Sequence, residues 1–161
     1  MVEQVESKSR RVVFDCNVLL QAMANRNGPA GACVQAVREG LVTHFVSQAL
    51  LCELADVASR PLLIRKLRLT HAGTSDFLAE LQALSVMIDP VAEVFRHPID
   101  PKDSMIVNLA AAAGANVITS RDRHLLKLRD ATDPIGIDFM ARFASLEVLT
   151  PAELLQRIRL G

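Results

Sequence analysis

Tryptophan and tyrosine are absent from the 161 residues, and phenylalanine occurs only six times. A broad aromatic platform for stacking single-stranded bases is therefore not expected. Cysteine is scarce and odd in number: Cys16, Cys33 and Cys52 share no C-x-x-C spacing. That argues against both a disulfide framework and a thiolate zinc site. Charge of one sign is missing too, since 18 basic residues balance 18 acidic ones. A nucleic-acid partner would have to be met by a local basic patch rather than by the whole surface. No apolar run approaches the roughly 18 residues that span a bilayer. The first run, Val12 to Leu20, is broken by Asp15 and Asn17, so it is no secretory signal core. The chain is expected in the cytoplasm, away from membranes.

What is present is a globular composition, 50% hydrophobic and 22% charged, on a length that suits one buried core. Residues 1–9 are polar and aperiodic, as in a loose tail. Beyond them short apolar runs alternate with amphipathic ones. Arg11–Phe14, Thr43–Val46, Ser85–Ile88, Asn116–Thr119 and Leu146–Leu149 read as strands. Helices are expected over Val34–Leu41, from the Ser47 cap to Ser59, from Pro61 to Leu69 and over Thr74–Leu84. Others are expected from Asp103 to Gly114, over Asp122–Leu128 and from the Thr150–Glu153 capping box to Ile158. Residues 130–142 read as an irregular surface insertion. Such alternation implies an α/β fold with a central, mainly parallel sheet between helical layers.

Ligands of such sheets bind outside the carboxyl ends of the strands. Asp15 and Asn17 follow the first strand, Thr119, Ser120 and Asp122 the fourth, and Asp103 begins the helix before it. Each Asp could equally be a helix N-cap. Glu53 lies at the edge of the apolar stripe Leu50, Leu54, Val57 and Ala58. There it either pairs with a cation or serves a site, because an unpaired charge at a buried rim is costly. Together the acids suit a hard divalent cation, Mg²⁺ or Mn²⁺, which prefers carboxylate oxygens. Such a cation supports phosphodiester hydrolysis.

Four motifs carry a resemblance. Val-Val-Phe-Asp15-Cys-Asn17-Val-Leu-Leu, Leu51-Cys-Glu53-Leu, Asp100-Pro-Lys-Asp103 and Val-Ile-Thr119-Ser-Arg-Asp122-Arg-His-Leu-Leu occur in the order found in PIN-domain nucleases. The closing Leu149-Thr-Pro-Ala-Glu-Leu-Leu resembles the branch of that family formed by toxins of toxin–antitoxin pairs. The resemblance spans about Val12 to Ile158. It implies a three-layer α/β/α fold over residues 10–161 and a metal-dependent endoribonuclease. Its metal-binding and catalytic residues would be Asp15, Glu53, Asp103 and Asp122, supported by Asn17, Thr119 and Ser120. A homodimer and a cognate antitoxin are further implications. Two departures stand out besides the insertion. Cys16 occupies a position where the family often has Thr. One extra residue separates Thr119 from its acid, a step of about 3 Å. Asp122 is therefore expected to reach a metal through a bridging water, with Ser120 helping to orient water.

Basic residues flank these motifs. Arg60, Arg65, Lys66 and Arg68 form one cluster, and Arg121, Arg123, Lys127 and Arg129 another. Arg121, Arg123 and Lys102 are expected to contact RNA phosphates. His44, His71, His97 and His124 share no metal-ligating spacing and read as surface or loop residues. Two other functions compete with the nuclease. One is a catalytically weak PIN-like module acting through protein or RNA contacts. The other is a haloacid-dehalogenase-type phosphatase, which would want a second Asp where Asn17 stands.

Overall fold

The computed structural model describes residues 9–160, so the expected tail, apart from Ser9, lies outside the described residues. Five strands form one parallel sheet: β1 (Arg10–Phe14), β2 (Val42–Val46), β3 (Val86–Met87), β4 (Val117–Thr119) and β5 (Glu147–Leu149). Their order is β3-β2-β1-β4-β5. The central strand is covered on both faces: Val12, Val13 and Phe14 are fully buried. A strand buried on both sides reads as a continuous apolar run rather than an alternating one.

Between β1 and β2 lie α1 (Cys16–Ala24) and α2 (Pro29–Arg38), and between β2 and β3 lie α3 (Gln48–Ala58), α4 (Pro61–Leu67) and α5 (His71–Leu84). Then α6 (Pro101–Ala113) carries the chain back across the sheet to β4. From β4, α7 (Arg123–Leu126), a 3₁₀ turn (127–129) and α8 (Pro134–Arg142) lead to β5, and α9 (Pro151–Leu160) follows. Right-handed crossovers put α1–α5 on one face and α6–α8 on the other. From β5, α9 returns to pack against α2. The result is the expected three-layer α/β/α arrangement. The alanines of α6 let it lie close over β1, β2 and β4, and Gly114 ends it in the left-handed region at φ 62°.

Several expectations are corrected. A helix not expected from the sequence, α1, follows β1 directly, with Asp15 as its N-cap. Asp100, not Asp103, is the N-cap of α6, with Pro101 at the first helical position. The stretch 130–142 is no irregular insertion. Asp133 accepts a hydrogen bond from the Ile135 N–H, Pro134 opens α8, and Phe139 is 1% exposed within the core. The Asp-Pro pair was a readable start signal. Gly136 obscured it, yet a Cβ there would sit 2.2 Å from the Asp130 carbonyl oxygen. His44 and His97 are buried rather than superficial. Among the described residues no helix is long and apolar enough to cross a membrane.

Candidate active site

In this strand order the chain leaves β1 toward β2 but leaves β4 toward β5. Adjacent strands with diverging exits open a crevice at their carboxyl ends. The last ladder bond there runs from the Asp15 N–H to the Thr119 carbonyl at 3.1 Å. It sets Asp15 beside Ser120. Around them lies a cavity of about 310 Å³ lined by Asp15, Asn17, Glu53, Asp100, Lys102, Asp103 and Asp122, with Cys16 and Arg60. A larger cavity of about 920 Å³, on the β3 flank of α6, is lined by none of the expected site residues.

Three carboxylates converge. Asp100, Asp103 and Asp122 each place an oxygen within 4.8 Å of the others. Helix starts hold two of them: Asp100 Oδ1 accepts from the Lys102 N–H at 2.9 Å, and Asp122 Oδ1 accepts from the His124 N–H at 2.8 Å. In both cases the cap uses one oxygen, and the structure gives the second no hydrogen bond. Asp103 projects from the first turn of α6 and is 5% exposed, and its Oδ2 is buried with no hydrogen-bond partner. Burial above all, then the charges of Asp122, Asp100 and Asp15, push its pKa up to about 7. An uncompensated buried acid among like charges takes up a proton or a cation. A carboxylate-only donor set with a free buried oxygen fits a hard divalent ion.

Asp15 is used differently. Its Oδ1 accepts from the Val18 N–H at 2.9 Å, and its Oδ2 accepts from the Ser120 hydroxyl. Burial, only partly offset by these bonds, raises its pKa to about 6. Ser120 Oγ in turn accepts the Asp122 N–H at 2.8 Å. This serine thus links the first acid to the fourth. It also absorbs the extra residue after Thr119, so Asp122 arrives within the carboxylate group instead of a step away.

Glu53 lines the cavity but stands outside the close trio, 3.4 Å from Lys102 Nζ. Asn17 is exposed at the cavity wall. Thr119 is fully buried beneath the site, its hydroxyl without a partner. Arg121 and Arg123 are exposed and do not line the cavity, whereas Arg60 does. Cys16 beside the acids stays a thiol: burial, then Glu53 and Asp15, pushes its pKa up to about 12.

The residue missed in the sequence is Asp100. Its signal was an acid directly before a proline at a helix start, the same N-cap signature that marks Asp133. Because Asp100 and Asp103 are three residues apart, either could have been cap or site. In the structure Asp100 is the cap, and it also lines the cavity beside Asp103.

Two comparisons bear on this arrangement. An uncharacterized protein of the archaeon Methanocaldococcus jannaschii is 28% identical over 155 residues, covering 96% of each chain. A family model described as the PIN domain matches residues 11–124, a span that holds Asp15, Glu53, Asp100, Asp103 and Asp122. That match covers most of the chain and the whole carboxylate crevice, and it settles the family: the protein belongs to the PIN domain family.

Proposed function

We propose that this protein is a Mg²⁺- or Mn²⁺-dependent endoribonuclease whose site is the crevice between β1 and β4. The observation that carries the reading is the buried, unpartnered Oδ2 of Asp103 among three converging carboxylates. Asp100, Asp103 and Asp122 would hold the ion. When bound, such an ion polarises a phosphodiester and lowers the pKa of an attacking water. The protein's own contribution is positioning and charge. Asp15 holds the Ser120 hydroxyl, which holds the Asp122 main chain and so aims that carboxylate into the crevice. Lys102 and Arg60 at the cavity wall supply positive charge for the RNA backbone beside the acids. Asn17 offers an amide donor and acceptor at the same wall.

A homodimer and a protein antitoxin belong to the proposal through the resemblance of residues 149–155. In the fold those residues have a structural task. The Thr150 N–H donates to Glu153 Oε1 at 3.0 Å, the Glu153 N–H donates to Thr150 Oγ1 at 3.2 Å, and Leu154 is buried. A catalytically weak module remains the competing reading. It is favoured by the engagement of both Asp15 oxygens and of Glu53.

The deciding experiment is calorimetric titration of Mn²⁺ into the parent protein and Asp103→Asn, paired with RNA cleavage before and after EDTA. The nuclease reading expects metal binding lost in the variant and cleavage restored to the parent by added metal. A parent that binds Mn²⁺ but never cuts single-stranded RNA would establish the weak module instead.

A further inference from the structure

Between β3 and α6 the chain runs from residue 88 to 100 with no helix or strand, yet two of its side chains, Phe95 and His97, are almost completely enclosed. His97 is 5% exposed. Its Nδ1 accepts from two consecutive main-chain N–H groups, Ile99 and Asp100, at 3.2 Å each. An acceptor nitrogen carries no proton, so the ring is neutral with its hydrogen on Nε2. The His97 main-chain N–H donates to Ser104 Oγ at 2.6 Å, in the turn of α6 that also bears Asp103. The ring meets the His124 ring edge-on, with centroids 6.0 Å apart. His124 belongs to the turn whose N–H groups Asp122 caps. The His97 imidazole therefore touches the segments of Asp100 and Asp122, and the His97 main-chain N–H the turn that bears Asp103.

We propose that His97 is the positioning residue of the acid cluster: its unprotonated Nδ1 fixes the Asp100 main chain, and its ring fixes the spacing between the α6 and α7 helix starts. The proposal rests on the reading that these acids hold a divalent cation. Three like charges push their own segments apart, so their convergence needs restraint from outside the carboxylates. The loop supplies it through a base that Asn108 helps to anchor. Asn108 Oδ1 accepts the Val94 and Phe95 N–H groups at 2.9 and 2.8 Å. Phe95 packs against Phe139 of α8, with ring centroids 6.0 Å apart. The restraint therefore reaches from the hydrophobic core to the cluster without using a ligand atom. His97 is a positioning group and not a catalytic one, since it does not line the acid cavity.

The test compares Mn²⁺ affinity of the full chain by calorimetry for the parent, His97→Leu and His97→Asn. The Asn side chain puts an acceptor oxygen near the place of Nδ1, and Leu puts none there. Groups that orient metal ligands typically carry 10- to 100-fold in affinity. We expect a loss of that order in His97→Leu and most of the parent's affinity in His97→Asn. Equal affinity in all three overturns the positioning role but leaves the metal site standing. Equal loss in Leu and Asn, both folded by circular dichroism, also overturns it, because the acceptor would then not matter. A parent that binds no Mn²⁺ overturns both readings. Should His97→Leu fail to fold, the ¹⁵N shifts of the parent's imidazole decide. An unprotonated Nδ1, with Asp100 amide exchange slowed, supports the proposal. A protonated Nδ1 removes it.

Discussion

His44 and Asp103 are both polar, both buried, and both within reach of the central strand, yet the fold treats them in opposite ways. On β2, His44 is fully enclosed and fully paired. Its Nε2 accepts the Phe14 N–H at 3.3 Å, its Nδ1 meets Ser85 Oγ at 2.7 Å, and its ring stacks on Phe14 with centroids 4.5 Å apart. Asp103 on α6 has a buried oxygen with no partner and two acids beside it. Burial drives each toward its neutral form, His44 down to about 3 and Asp103 up to about 7. For His44 the neutral form is the satisfied one, so the group stabilises the β1–β2–β3 junction. For Asp103 the ionised form leaves a buried oxygen without a donor, whereas a proton or a cation there would be shared with the Asp122 carboxylate. The two residues are alike in burial and differ in pairing.

The largest expected effect would break that contrast outright. Asp103→Asn should lower RNA cleavage on the order of 10²-fold or more by removing an ion ligand. In EDTA at pH 8 the same variant should be more resistant to urea than the parent, because a desolvated charge among like charges is gone. A less stable variant under those conditions would make Asp103 a structural residue like His44.

A second comparison ranks the acids. Contact through a bridging water, as the extra residue after Thr119 implies, would make Asp122→Asn milder than Asp15→Asn. The geometry reverses the order, since Asp122 keeps an oxygen free within the trio while both Asp15 oxygens are bonded. Mn²⁺ affinity should therefore fall further in Asp122→Asn than in Asp15→Asn under one buffer. The opposite ranking would return Asp122 to contact through water.

His44→Leu should leave the Phe14 N–H and the Ser85 hydroxyl unpaired and cost roughly 1–3 kcal/mol of stability. The two buried groups also predict opposite pH limbs for the metal-free protein. His44 has a folded pKa of about 3 against 6.5 for the free side chain. Its contribution is complete above 6.5 and is lost as pH falls toward 3. Asp103 has a folded pKa of about 7 against 3.8. Its contribution is complete below 3.8 and is lost as pH rises through 7, and Asp15, at about 6, acts with the same sign. Urea midpoints over a pH series in EDTA should fall on both sides. His44→Leu should flatten the acid limb and Asp103→Asn the alkaline one. A limb that persists unchanged in its variant refutes that assignment.

The smallest effects concern the cations. Lys102→Ala and Arg60→Ala should each reduce the salt slope of RNA affinity by about one unit. Arg121→Ala and Arg123→Ala, exposed and off the cavity, should leave it near the parent's and change stability by less than about 0.5 kcal/mol. A slope that follows Arg121 and Arg123 instead would place the RNA path on the α7 side.

By itself the sequence determined the α/β class, the strand runs and the starts of α3, α4, α7 and α9, because apolar runs, caps and proline positions are local signals. Arg11–Phe14 reads as a strand, and Leu50, Leu54, Val57 and Ala58 read as one buried helix face; those four and Val12, Val13 and Phe14 are buried. The family motifs likewise marked the acids: Asp15, Asp103 and Asp122 lie at a strand end or helix start, and Glu53 lies within α3. Only the tertiary structure decided which of them meet. A cap and a ligand have the same local pattern, so Asp100 and Asp103 could not be told apart along the chain. The Ser120–Asp15 hydrogen bond, the His97–His124 ring contact and the pairing of Glu53 with Lys102 all join residues tens of positions apart. Such contacts depend on the pairing of β1 with β4 and on the docking of α6. Those arise from burying the whole sheet at once rather than from any local stretch of the chain.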